Sequence, residues 1–206
     1  PRYSFSPAIP LGVWGGTTVR MSFMLILLLP IAWNHFGWKL GSAIFGVLFA
    51  SVLFHEFCHI WTARSTGGEG DEILMWPFGG LAYCRPADTF RSEFWTAFAG
   101  PLSNLLLAAV FVWPAIQLSV IAEPFDLLTQ IVFLPDIQLE SNVPMEIAAL
   151  MFSLNWKLFW LNLLPVYPLD GGRMLQAILV QQMSRGEAHR RCIITGMVVS
   201  VIAIIA

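Results

Sequence analysis

A polytopic bundle of membrane-spanning helices, all-α apart from a small β hairpin or sheet at the cytoplasmic side, is the fold this sequence predicts. Three observations predict it. Of the 206 residues, 57% are hydrophobic and 12% charged, against roughly 45–50% and about 25% in soluble domains. Apolar runs approaching the roughly 20 residues needed to cross a bilayer recur along the chain. The basic residues between those runs fall almost entirely on one side once the runs are taken as alternating spans.

The first run, 19–33, is short and contains Pro30, so it is expected to continue through Phe36 and Trp38, whose rings suit a membrane interface. Further runs occupy 41–63, 94–113 and 147–167, and another begins near Cys192, which predicts about five or six spans in the full protein. Between the second and third runs lies a polar, glycine-rich segment, 65–93, with two short apolar stretches, 73–76 and 81–84. These read as strands of a hairpin around Pro77-Phe78-Gly79-Gly80. The mixed segment 114–145, with several prolines and acids, reads as a connection containing an interfacial amphipathic piece.

Orientation follows from the cations. Arg2 and Arg20 precede the first run, Arg64, Arg85 and Arg91 separate the second from the third, and Arg173, Arg185, Arg190 and Arg191 follow the fourth. The opposite side receives Lys39, and 114–145 holds no Lys or Arg. The positive-inside rule then places the N-terminus in the cytoplasm of an integral, multi-pass membrane protein. With a net charge of −2 and no basic block, the chain offers no nucleic-acid surface. Cys58, Cys84 and Cys192 are too scattered for a disulfide framework or a metal knuckle.

The second run contains His55-Glu56-Phe57-Cys58-His59. Helical periodicity sets His55 and His59 one above the other on one face, where both imidazoles can hold one Zn²⁺ while Glu56 reaches a water there as general base. Two histidines and a glutamate inside an apolar span are costly without a partner or a purpose, which favours function. A catalytic zinc needs a third protein ligand and an open position. Asp170 is the candidate, because antiparallel second and fourth spans carry it to the depth of His59 near the cytoplasmic face. Pro165 and Pro168 interrupt the fourth span, and Gly171-Gly172 lets the chain turn there. Read alone, the same residues are also an ordinary helix end.

These residues resemble the site-2 protease family of intramembrane metalloproteases. HEFCH is similar to that family's zinc helix, Gly100-Pro101-Leu102-Ser103-Asn104 to its GPxxN-like segment, and Asn162 through Gly172 to its Asn, Pro and Asp-Gly signature; order and spacing agree. The resemblance implies His55, His59 and Asp170 as ligands of one Zn²⁺ per chain, Glu56 as base, and Asn162 as a polar group steadying substrate or tetrahedral intermediate. It implies a zinc metalloendopeptidase that cuts single-span membrane proteins, in regulated intramembrane proteolysis, with its opening on the cytoplasmic side. A membrane zinc hydrolase acting on a lipid or small amphiphile is the alternative. Gly79 and Gly80 are candidate substrate contacts, since a hairpin edge accepts an unwound peptide by strand addition.

Asn104 is expected either to bond between helices or to touch substrate, and Gly100 either to permit close helix packing or to serve the site. Cys58 stands where relatives carry glycine and is expected to fill space, metal ligation being the other reading. Lys157, within the fourth run, has no partner legible in the sequence. Residues 1–206 are read as one intramembrane metalloprotease domain, incomplete at its C-terminus, with any regulatory domain or partner beyond Ala206.

Overall fold

The computed structural model describes residues 8–77, 79–118, 120 and 142–205. In chain order these form β1 (Ala8–Trp14), β2 (Thr17–Ser22), α1 (Phe23–Ile26), α2 (Leu28–Ser65), β3 (Glu69–Trp76), β4 (Gly79–Arg85), α3 (Phe90–Gln117), α4 (Val143–Leu163), α5 (Asp170–Leu179) and α6 (Arg185–Ile205). The molecule is mainly helical, with one four-stranded sheet in the order β1-β2-β3-β4.

The expected hairpin is β3–β4, an antiparallel pair from Glu69↔Arg85 to Trp76↔Gly79; Phe78 lies outside the described residues. It is half of the sheet. The β1–β2 hairpin forms the other half, turning at Gly15 and Gly16 with φ of 56° and 74°, and β2 runs parallel to β3. This revises the start of the first expected span, because residues 17–22 are a strand. Gly-Gly followed by Thr-Thr-Val is a hairpin signal, but the apolar run that continues past it masks the strand.

Helix α2 is interrupted at Gly37, whose φ of 75° and ψ of 163° are not helical. The chain folds back there: a Cβ on Gly41 would lie 2.7 Å from the Ala32 carbonyl oxygen, and Trp33 Nε1 donates to Ser42 Oγ at 2.8 Å. The segment before the break, about nine residues at 1.5 Å each, spans roughly half of a hydrocarbon core. Two helical stretches, Phe23–Ser65 and Phe90–Gln117, are long and apolar enough to cross a membrane among the described residues. Helix α4 is long enough but carries Glu146, Asn155, Lys157 and Asn162. The interfacial piece expected in 114–145 falls largely outside the described residues.

Helix α3 packs against α2, α4 and α5, and the sheet packs on α2. Val19, Ile73 and Met75 of the sheet meet Leu53, Phe57 and Ile60 of α2 in one buried cluster. At the end of α2, the Arg64 guanidinium donates to the carbonyls of Gly15 (2.9 Å), Gly16 (3.0 Å) and Gly70 (2.8 Å). One side chain thus joins the helix to both hairpins. Arg185 pairs with Glu93 at 2.8 Å and with Asp88, bringing the start of α6 to that of α3.

Candidate metal centre and cleft

Helical spacing stacks His55 and His59 on the buried face of α2, and α5 brings Asp170 against them. His55 Nε2 lies 3.0 Å from His59 Nε2 and 3.0 Å from Asp170 Oδ2, and His59 Nε2 lies 3.2 Å from the same oxygen. All three residues are buried. They are the group of His, Cys, Asp and Glu residues able to hold a metal among the described residues; Cys58 is not in it.

The hydrogen bonds behind the imidazoles decide what this triangle can hold. His59 Nδ1 faces the Thr96 carbonyl at 2.6 Å, a pure acceptor, so Nδ1 carries the proton. His55 Nδ1 faces Asn104 Oδ1 at 2.6 Å. The Asn104 amide nitrogen donates to Asn155 Oδ1 at 2.9 Å, which fixes the oxygen toward His55. In a neutral imidazole the other nitrogen is then a lone pair. Two lone pairs and a carboxylate oxygen therefore converge with no proton between them, an arrangement that repels itself unless a cation sits inside. Tetrahedral zinc with ligands at about 2.0–2.1 Å would require ligand–ligand edges of about 3.3 Å. The observed edges fit within a few tenths of an ångström.

Gly100 of α3 closes the triangle from the other side. A Cβ there would fall inside van der Waals contact of both Nε2 atoms, so this glycine leaves the metal position open. Glu56 of α2 faces the sheet. Its Oε2 accepts the Ala82 amide of β4 at 2.8 Å, and a Cβ on Gly80 would land on its Cγ. Strand β4 is the sheet's outer strand, so a main-chain donor of its free edge holds the carboxylate.

His55, His59, Asp170, Glu56, Asn162, Gly79 and Gly80 line one cleft of about 210 Å³. Asn104, considered for substrate contact, is fully buried between His55 and Asn155 and does not line it. The interhelical bond is the arrangement the structure contains. The relay continues from Asn155 Nδ2 to Ser51 Oγ at 2.9 Å, tying α2, α3 and α4 together behind His55. Asn155 and Ser51 were not singled out in the sequence. In the sequence Arg173 reads only as a topological charge. It lines the cleft, 3.7 Å from Asp170 Oδ1 and 4.0 Å from Cys84 Sγ. Burial pushes the Cys84 thiol pKa up, against the pull of Arg173.

The sequence profile of peptidase family M50 matches residues 43–205. The chain belongs to peptidase family M50. It is 31% identical over 188 residues to Rip3 of Mycobacterium tuberculosis, a match covering 84% of this chain and 44% of that protein. It is 29% identical over 162 residues to zinc metalloprotease MJ0392 of Methanocaldococcus jannaschii, covering 79% and 41%. This M50 chain thus spans less than half the length of the curated relatives it matches. Its fold matches the solved site-2 protease from Methanocaldococcus jannaschii with a TM-score of 0.64 at 23% identity, over 95% of this chain and 82% of that one. The resemblance to the site-2 protease family is borne out.

Orienting partners of metal-bound histidines typically matter 10–100-fold in affinity. Asn104→Leu in this M50 chain is accordingly expected to weaken zinc binding by about 10–100-fold, read by competition with a fluorescent chelator. Unchanged affinity would mean that His55 needs no holder.

Proposed function

We propose that this chain is an intramembrane zinc metalloendopeptidase that hydrolyses peptide bonds of membrane-spanning proteins. The observation that carries the reading is the convergence of the His55, His59 and Asp170 ligand atoms beside Glu56, in a cleft bordered by an open strand edge. Zinc, when bound, supplies a Lewis acid that polarises a carbonyl and acidifies a water. The rest is the work of the chain's own residues. Glu56, held by the Ala82 amide, removes a proton from the attacking water and returns it to the leaving amine. Asn162, in the last turn of α4 on the cleft wall, stabilises the oxyanion.

A helical substrate hides its carbonyls in its own hydrogen bonds, so it must unwind before attack. Strand addition along Gly79-Gly80 on β4 would hold the unwound segment, and the open space where a side chain on Gly79 would stand leaves room for its backbone. The proximity of that edge to Glu56 favours peptides over small amphiphiles. The direct test incubates purified protein with single-span substrates, with zinc and with a chelator. Cleavage that is zinc-dependent and restored after chelation is expected, and cleavage indifferent to the chelator would refute the reading.

A polytopic domain with the sheet, N-terminus and cleft opening on the cytoplasmic side completes the proposal. Its support is that Arg64, Arg173 and Arg185 all bond to the sheet or to the loop after β4, the end that positive-inside bias assigns to the cytoplasm. Single-cysteine labelling should make Arg91→Cys, at an exposed position, reactive from the cytoplasmic side and Ser141→Cys from the opposite side. Labelling of both from one side would exclude this topology.

A further inference from the structure

Beside the metal cleft lies a second cavity, of about 240 Å³, and nothing described so far uses it. Its walls are aliphatic and aromatic: Leu28 from the start of α2, Phe45, Leu48 and Phe49 from beyond the break, and Met75 with Trp76 from β3. Val52 of α2, Leu158 of α4, Trp76 at the end of β3 and Gly79 at the start of β4 line both this cavity and the cleft, so the two share a wall. An apolar cavity of about 150 Å³ already holds a benzene ring; this one has room for a large side chain.

Its place relative to the reacting atoms follows from the helix. Val52 precedes Glu56 by one turn on α2, a displacement of roughly 6 Å along the axis. A strand laid on the β4 edge advances roughly 3.4 Å per residue and alternates its side chains. The cavity mouth therefore falls one or two residues from a carbonyl placed at Glu56. Resting on the peptidase reading, we propose that this cavity is a specificity subsite taking a large apolar side chain of the substrate, such as Leu, Met or Phe, next to or one removed from the cleaved bond. Gly79 at its rim admits the backbone, and the cavity rewards only a side chain that fills it. The shared wall favours a peptide over a lipid chain as occupant, since an occupant entering from the cleft is already held on β4.

The test uses single-span peptides carrying a photoreactive leucine at one position at a time, bound to the Glu56→Gln chain in detergent with zinc. One position should crosslink to Phe45, Leu48 or Phe49, and Leu48→Trp, which fills the cavity, should reduce that product at least about tenfold. With the active chain, Leu at that position should exceed Ala in kcat/KM by about tenfold or more. Leu48→Trp should collapse the ratio toward one, and Phe49→Ala should move the optimum toward Trp. Crosslinks from every position to other residues, or a photoreactive acyl chain that labels the cavity and resists displacement by peptide, would overturn the subsite. Zinc-dependent cleavage without side-chain preference or cavity crosslinks would sink the subsite and keep the peptidase. Cavity crosslinks without any cleavage by the active chain would sink the peptidase reading and, with it, a subsite defined by the cleaved bond.

Discussion

Glu56→Gln is expected to keep one zinc per chain while losing about 10²–10⁴-fold in turnover, the usual worth of a positioned proton acceptor. Glutamine has the same shape, and its carbonyl oxygen can still accept the Ala82 amide that Glu56 Oε2 now accepts. Strand β4 should therefore stay where it is. Glu56 is not among the three atoms that face one another, so the metal should remain. What disappears is basicity, because an amide does not take a proton from water near neutral pH. Zinc content and turnover measured on the same sample separate these effects. A variant that still cleaves at the parent rate would remove Glu56 from the chemistry, and one that loses zinc would make it a ligand.

Gly100→Ala is expected to have the opposite signature, with the metal lost first. The added methyl would occupy the space in front of both Nε2 atoms, and neither imidazole can retreat freely, each being bonded behind to Asn104 or Thr96. The loss in zinc affinity should exceed the 10–100-fold typical of removing an orienting partner and match that of Asp170→Asn, which replaces an anionic ligand by a neutral amide. Elemental analysis alongside a thermal melt is the measurement. A folded Gly100→Ala chain with full zinc would show that α3 shifts easily, and that the glycine serves only helix packing.

How much was legible beforehand follows from the range of each interaction. The pairing of His55 with His59 is a local consequence of helical pitch, and Asp170 could be brought to them by counting depth from the flanking arginines. The role of Gly100 could not be read, because it depends on how closely α3 approaches α2, and a glycine in an apolar helix looks the same whether it faces a neighbour or a metal. The relay through Asn104 and Asn155 to Ser51 links positions 104 residues apart at its last step, which no spacing encodes. The β1–β2 hairpin was legible at Gly15-Gly16 but lost to hydropathy, since Val19 onward reads equally well as the start of a span. The boundary expected between the first two runs falls close to the break of α2 at Gly37, but that the chain folds back there depends on a positive φ that hydropathy does not encode.

The clamp made by Arg64 divides the site into two mechanical parts. Helix α2, the sheet and β4 form one, so His55, His59, Glu56 and the strand edge are carried together. Asp170 belongs to the other, reached through the 164–169 connection after α4. A zinc ion held by His55, His59 and Asp170 would span that seam, and by linkage whatever separates the parts would weaken its binding while the bound metal would hold them shut. At a free zinc concentration a hundred times its dissociation constant, that closure is favoured by about 2.7 kcal/mol over an open form that binds none. On the proposed function, entry of a substrate helix from the α5 side would draw on the same free energy that retains the ion, whereas entry along β4 would leave the seam closed.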